Sequence, residues 1–92
     1  MPVTVKIPAQ LRPATGGAGE IEVEGATVGE ALDAVFEAHE GLKDRITEGG
    51  DLRRFVNVYV AGEDIRFAEG LDTAVDDGAE VTILPAVAGG GR

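Results

Sequence analysis

The chemically distinctive stretch of this sequence is its end, "AVAGGGR", which follows directly on the apolar run "VTILP". Glycine loses more backbone entropy on ordering than any other residue, so three consecutive glycines do not stabilise a folded domain. They predict a narrow, mobile arm that reaches on the order of 20 Å from Val87 to Arg92 when extended. A carboxylate on such an arm can enter a narrow active site of another protein, be adenylated by ATP and then be attacked by a nucleophile.

The other side chains offer little catalytic chemistry. The sequence has no Cys, Ser or Trp and a single histidine, so the usual nucleophilic triads cannot be assembled. His39 falls at the end of a helical pattern, where an imidazolium interacts favourably with the helix dipole, and this structural role is favoured over a catalytic one. Asp76 and Asp77 are adjacent without a surrounding pattern of ligands, so no metal site is predicted.

Composition predicts a single small domain. The chain has 92 residues, of which 43% are hydrophobic and 27% charged, a balance typical of a folded protein with one core. It has no cysteine for a disulfide or a thiolate zinc site. No apolar run resembles a signal peptide or a membrane span, so we expect a cytoplasmic protein. The net charge of −9 disfavours nucleic acids and anionic membranes as partners, and it serves either solubility or docking to a basic protein.

Alternation of apolar and polar residues predicts the strands. "VTVKI" and "EIEVEG" are expected to form a hairpin, joined by the Pro- and Gly-rich loop "PAQLRPATGGAG". "LRRFVNVYV" predicts an interior strand, "IRF" a short strand and "VTILPAV" the last strand, whose end Pro85 takes out of the sheet or to an edge. "LKDRITEGGD" and "AEGLDTAVDDGAE" are expected to be polar connections, the second with room for one helical turn.

One helix is predicted between the second and third strands. Thr27 followed by Glu30 matches a capping box, in which a hydroxyl and a carboxylate accept hydrogen bonds from otherwise unpaired amides. Gly41 is predicted to end this helix in the left-handed conformation. Five apolar residues lie along one helical face and are expected to pack on the sheet: Val28, Ala31, Leu32, Val35 and Phe36.

The order strand, strand, helix, strand, short strand, strand predicts an α+β fold of the β-grasp type. A right-handed crossover places the last strand beside the first, in the middle of a mixed sheet of four to five strands with one main helix on one face. The domain is expected to span residues 1–87, and residues 88–92 are expected to form a flexible glycine tail.

The chain resembles the ubiquitin-like sulfur-carrier family typified by ThiS and MoaD. The resemblance covers nearly the whole chain and is carried by "VTVKIPAQLRP", "RFVNVYVAGEDIRF" and "LDTAVDDGAEVTILPAVAGG". It implies a carrier that is not an enzyme and binds no cofactor. An E1-like enzyme uses ATP to adenylate the carrier's C-terminal glycine, the adenylate is converted to a thiocarboxylate, and a second enzyme uses that group as a sulfur donor. The ending "AVAGG" favours cysteine synthesis, although molybdopterin, thiamin and thiosugar or other natural-product synthesis use the same domain.

The sequence departs from the family at its last residues. The family activates the last glycine of a diglycine, which Gly89 and Gly90 match, but Gly91 and Arg92 follow here. The resemblance therefore implies that Gly90 is the sulfur acceptor and that a metallopeptidase first removes Gly91 and Arg92. If Gly90 and Gly91 are the pair instead, Gly91 is the acceptor and only Arg92 is removed. Residues foreign to the natural chain are a third explanation of this ending.

Activation requires the enzyme to grip the domain while the tail enters the active site. Phe55, Tyr59 and Leu84 are the candidates for this docking surface, near the tail on an apolar face of the sheet, and internal packing of these side chains is the alternative. Two other classes of function remain open. One is a ubiquitin-like modifier whose carboxylate forms isopeptide bonds with lysines, and the other is a β-grasp interaction subunit that does not use its tail.

Overall fold

A five-stranded mixed sheet forms the centre of the computed structural model, which describes residues 2–49, 51–53 and 56–85. In chain order the strands are β1 (Pro2–Lys6), β2 (Glu20–Glu24), β3 (Thr47–Glu48), β4 (Asp51–Leu52), β5 (Val56–Val60), β6 (Glu63–Asp64) and β7 (Glu80–Pro85). The helices are α1 (Val28–Ala38) and α2 (Glu40–Ile46), with 3-10 helices at Ala9–Thr15, Ile65–Phe67 and Gly70–Asp72. None of these helices is long and apolar enough to cross a membrane.

The last strand lies in the middle of the sheet, as the sequence predicts. The strand order is β2-β1-β7-β5-β6, and β3 pairs with β4 in a separate ribbon. β1 is antiparallel to β2 and parallel to β7, because α1 lies in the crossover between the hairpin and the rest of the sheet. β7 is therefore held by neighbours on both sides, with β5 antiparallel on its other edge. This arrangement confirms the predicted β-grasp fold.

The core lies between the inner face of the sheet and α1. Alternate residues of β1, β5 and β7 point inwards and are at most 1% exposed: Val3, Val5, Val56, Val58, Val81 and Ile83. The five predicted helix residues are all buried against them: Val28, Ala31, Leu32, Val35 and Phe36. Both periodicities are thus confirmed, period two in the strands and three to four in the helix.

The predicted cap fixes where α1 begins. Thr27 has an extended backbone, and its Oγ1 accepts a hydrogen bond from the amide of Glu30 at 3.2 Å. In return, Oε1 of Glu30 accepts one from the amide of Ala26 at 2.8 Å, one residue before the usual position. The turn therefore pairs the amide of Glu30, which the helix leaves without a backbone partner, and the amide of Ala26 just before the helix.

The end of α1 differs from the prediction. Gly41 does not end this helix in the left-handed conformation, because α1 ends at Ala38 and Gly41 lies inside α2 without a positive φ. His39 joins the two helices in a non-helical conformation. The stretch "LKDRITEGGD", expected to be a polar connection, contains most of α2, since Leu42 and Ile46 are one turn apart and both fully buried.

Two further segments are more ordered than expected. The short strand is Glu63–Asp64 and not "IRF", because Asp64 Oδ1 accepts a hydrogen bond from the amide of Arg66 at 2.8 Å and starts a 3-10 turn that buries Ile65. The loop after β1 contains the 3-10 helix Ala9–Thr15, which is stabilised by burial of Leu11. The predicted helical turn in the segment before β7 is the 3-10 helix Gly70–Asp72.

Replacement of Gly41 and of Gly25 by alanine is expected to change the free energy of unfolding in opposite directions. A Cβ on Gly41 meets no atom within 4 Å, whereas a Cβ on Gly25 lies 2.8 Å from the backbone nitrogen of Ala31. Because alanine favours helix over glycine, we expect Gly41→Ala to raise the free energy of unfolding by up to about 1 kcal/mol. Gly25→Ala is expected to lower it, because the first turn of α1 must move. Urea unfolding of both variants measures this, and equal effects would contradict the described geometry.

Candidate functional site

The root of the C-terminal segment is the end of β7. Its last described residue, Pro85, pairs with Val56 of β5. Residues 86–92, including Gly89, Gly90, Gly91 and Arg92, lie outside the described residues, as does Phe55. The acceptor glycine, the diglycine and the removal of two residues on maturation therefore stay predictions, and so do the boundary of the domain and the docking role of Phe55.

The two faces of β7 have different partners. Val81 and Ile83 are fully buried in the core, while Leu84 points outwards and is 45% exposed. In the pairing with β5, Leu84 lies opposite Asn57, and Thr82 lies opposite Tyr59. Tyr59 and Leu84 are therefore diagonal neighbours on one face. We call Asn57, Tyr59, Thr82 and Leu84 the outer sheet face. It is next to the root of the tail, and two of the three predicted docking residues are on it.

Arg66 forms hydrogen bonds to β5, the strand that pairs with the end of β7. The sequence alone did not indicate this role. Its guanidinium donates to Oδ1 of Asn57 and to the carbonyl of Val56, both at 2.7 Å. β6 pairs only with the last two residues of β5, so Arg66 bonds to the edge of β5 where β6 has ended. A charged donor bonds the backbone more strongly than a neutral one. The end of β7 is thus paired with β5, and β5 is held on its other edge by β6 and Arg66.

Charge is distributed unevenly over the outward side of the sheet. On the edge strand β2, Glu20, Glu22 and Glu24 are exposed and alternate with the inward-facing residues. In the middle, Lys6 Nζ lies 3.6 Å from Glu80 Oε1. The surface thus changes from acidic at β2 to mixed apolar and polar at the outer sheet face. A partner that contacts both regions needs an apolar patch flanked by basic groups.

An exposed aromatic lies beside Arg66. Phe67 is 84% exposed at the end of its 3-10 helix. Sequence reasoning assigned it to a short strand, although an aromatic residue within the polar stretch "GEDIRFAEG" is a usable signal of an interaction surface.

The His, Asp and Glu side chains of the described residues form no cluster that could bind a metal ion. Within residues 2–49, 51–53 and 56–85, no group of three or more His, Asp or Glu side chains is placed to hold a metal ion. His39 lies at the end of α1 as predicted, and its backbone amide donates to the carbonyl of Val35 at 2.9 Å. Asp76 and Asp77 are both exposed, Asp76 just before a turn and Asp77 within it.

Comparisons with known proteins agree with this arrangement. The ThiS family matches residues 5–90. The sulfur carrier protein CysO of Mycobacterium tuberculosis is 48% identical over 93 residues, covering 98% of this chain and all of that protein. The CysO chain in the Amycolatopsis orientalis BexX/CysO complex is 52% identical, with a TM-score of 0.88 over 92% of this chain and 96% of that one. Small archaeal modifier protein 3 of Haloferax volcanii is 40% identical over 65 residues, 71% of each chain.

These relatives carry sulfur or act as modifiers, and the sulfur carriers are small protein substrates rather than catalysts. One of them has been crystallised in a complex with a second protein. The fold, the central last strand and the match over residues 5–90 place the chain in the same group. The chain belongs to the ThiS family of ubiquitin-like sulfur-carrier proteins.

Proposed function

We propose that the chain carries sulfur as a thiocarboxylate on Gly90 and donates it in a biosynthetic reaction. The observation that carries this proposal is the family match, which runs from residue 5 to residue 90 and so ends on the second glycine of the pair Gly89-Gly90. The near full-length identity to CysO supports the same chemistry.

The reaction has two steps at the terminal carboxylate. An E1-like enzyme joins the carboxylate of Gly90 to the AMP part of ATP and releases pyrophosphate. A sulfide-equivalent nucleophile then forms a bond to the acyl carbon, and AMP leaves. The product is the intact chain in which one oxygen of the terminal carboxylate has been replaced by sulfur. The chain has no cysteine, so a thiocarboxylate is the form in which its own atoms can hold the sulfur, and no thiol is present to capture the activated acyl group.

Maturation precedes these steps in the proposal. With Gly91 and Arg92 in place, the carboxylate of Gly90 is part of a peptide bond and cannot be adenylated. A peptidase, proposed to be a metallopeptidase, removes both residues. If Gly91 is the acceptor instead, removal of Arg92 alone is sufficient.

Three partners are implied: the E1-like enzyme, the peptidase and a sulfur-accepting biosynthetic enzyme. The outer sheet face is proposed to dock on the first of these, because exposed Leu84 lies one residue before the last described residue of β7. Phe55 is proposed to contribute to the same contact. Among the acceptors, a cysteine-forming enzyme is favoured by the identity to CysO.

Incubation of a chain that ends at Gly90 with ATP, sulfide and the activating enzyme tests this proposal. We expect the mass of the chain to change by the difference between sulfur and oxygen, and we expect the new group to react with a thiol-specific alkylating agent. A matched chain in which Gly90 is replaced by Pro controls for sulfide bound elsewhere. An unchanged mass in the presence of an enzyme that activates a ThiS-family control would contradict the proposal.

A modifier function is the second candidate, because a Haloferax volcanii modifier protein is 40% identical over 71% of this chain. In that case the activated carboxylate forms an isopeptide bond with a lysine of another protein. Adducts of the chain in host lysates that resist reducing agents and contain a Gly-lysine linkage would favour the modifier. A thiocarboxylate without such adducts favours the carrier.

A further inference from the structure

A groove lies on the helix side of the domain, away from the outer sheet face. Its narrow part is a cavity of about 230 Å³ whose floor is formed by Leu32, Phe36, Leu52 and Leu71. It opens into a wider cleft of about 590 Å³ between α1 and α2, and both spaces share Asp33, Phe36 and Lys43. We call the two together the helix groove. Since α1 packs on the inner face of the sheet, this groove and the outer sheet face lie on opposite sides of the molecule.

The rim of the helix groove is negatively charged. Asp33, Glu37, Glu40 and Asp44 line the wider cleft, and all four are exposed. None of them forms an ion pair with another described residue, in contrast to Glu48 and Glu80, which lie 3.6 Å from basic side chains. Among the described residues of the lining, Lys43 is the single basic side chain. Lys43 and Arg53 offset part of this charge, since the Arg53 guanidinium donates to the backbone carbonyl of Asp44 at 2.9 and 3.1 Å. Four carboxylates against these two cations leave the rim with an excess of negative charge among the described residues.

Gly41 in this lining has no explanation in the fold. It lies in α2 without a positive φ, and a Cβ added there meets no atom within 4 Å. The fold neither needs the conformational freedom of glycine here nor excludes a Cβ, and glycine weakens a helix relative to alanine. The residue does leave the cleft between α1 and α2 open, which is consistent with a segment that approaches from outside.

We infer that the helix groove binds a short segment of a protein partner in which one large apolar side chain is flanked by Lys or Arg. The apolar side chain enters the cavity over Phe36 and Leu52, and the basic groups pair with the acidic rim. A partner held here does not cover the outer sheet face, so the carrier can be bound by a second protein while an activating enzyme holds the tail side. This inference is independent of which glycine accepts sulfur.

A synthetic nine-residue peptide, Lys-Lys-Ala-Ala-Phe-Ala-Ala-Lys-Lys, is a suitable probe, with the full chain observed by amide NMR. We expect the shift changes to cluster at residues 33–44 and at Leu52 and Leu71, and to be smaller when Phe of the peptide is replaced by Ser. Shift changes spread over all acidic surfaces, or confined to β2, would overturn the inference. No shift change at millimolar peptide would also overturn it.

Matched variants separate the groove from the overall charge. Glu37→Lys with Asp44→Lys alters the rim, while Glu22→Lys with Glu63→Lys makes the same change of net charge on exposed residues of the sheet edges. The first pair places lysine in the last turns of α1 and α2, where the helix dipole favours a positive charge. Because Lys43, Arg45 and Arg53 lie close to position 44, the melting temperature of this variant is measured to show that it is folded. We expect the first pair to weaken peptide binding at least about tenfold and the second less than about threefold. Equal weakening would contradict a specific site.

Gly41→Leu tests the groove without changing charge. Because a Cβ at Gly41 meets no atom within 4 Å and leucine favours helix over glycine, we expect the variant to melt at the same or a higher temperature than the natural chain. We also expect it to lose peptide binding, since leucine fills the cleft. Unchanged binding in the folded variant would show that the wider cleft is not part of the contact and would overturn the inference.

Discussion

A chain that ends at Gly90 is expected to be adenylated, and the chain that ends at Arg92 is expected to be inert. In the longer chain the terminal carboxylate belongs to Arg92, and we expect its long charged side chain to be excluded from an active site that accepts a glycine arm. Four chains, ending at Gly89, Gly90, Gly91 and Arg92, are compared with the activating enzyme by exchange of labelled pyrophosphate into ATP. We expect the exchange rate with the chain ending at Gly90 to exceed the rate with the chain ending at Arg92 by at least about a hundredfold. This ratio corresponds to about 3 kcal/mol of transition-state stabilisation.

The other two chains identify the acceptor. Highest exchange with the chain ending at Gly91 would assign Gly90-Gly91 as the pair and correct the choice of Gly90. Equal exchange with all four chains would contradict a requirement for trimming. All four share residues 2–85, so their melting temperatures are expected to agree, and this agreement shows that the differences in exchange come from the tail.

Ile83→Ala is expected to cause the largest loss of stability from a single shortened side chain of β7. Ile83 is fully buried at the centre of the sheet, so its truncation removes apolar contacts and leaves a cavity. Such changes cost about 2–5 kcal/mol, a large share of the roughly 5–15 kcal/mol that stabilises a typical domain. Urea unfolding followed by circular dichroism measures the loss. A loss below about 1 kcal/mol would contradict the described packing.

Leu84→Ala is the matched control, one residue further along the same strand. Leu84 points outwards and is 45% exposed, so we expect its truncation to change the free energy of unfolding by no more than about 0.5 kcal/mol. If the outer sheet face docks on the activating enzyme, the same variant binds that enzyme more weakly while remaining folded. Unchanged binding by the folded Leu84→Ala variant would remove Leu84 from the docking surface.

The sequence predicts the sheet and α1 because their signals are local and periodic. Alternation in "VTVKI" and "VTILP" and the spacing from Val28 to Phe36 describe which side chains turn inwards, and the structure buries them. α2 is missed because its apolar signal consists of only Leu42 and Ile46 among polar residues. Gly41 is misassigned because glycine is typical of helix ends, yet here the two helices meet at His39.

In the candidate site too, some features follow from the local sequence and others depend on contacts between distant segments. The placement of Tyr59 and Leu84 on one outward face follows from strand alternation and is found in the structure. The role of Arg66 does not follow from local sequence, since its guanidinium bonds to residues ten and nine positions earlier, Val56 and Asn57. The helix groove likewise depends on α2, Leu52 and Leu71 meeting α1, which no periodicity in one segment predicts.

The most direct test of the central claim is the intact mass of the untagged chain purified from its own host under non-reducing conditions. We expect a main species that ends at Gly90 and a second species that differs from it by the replacement of one oxygen with sulfur. Fragmentation is expected to place the sulfur on the terminal residue. A chain that retains Gly91 and Arg92 in full, with no sulfur-containing form during growth on limiting cysteine, would contradict the account.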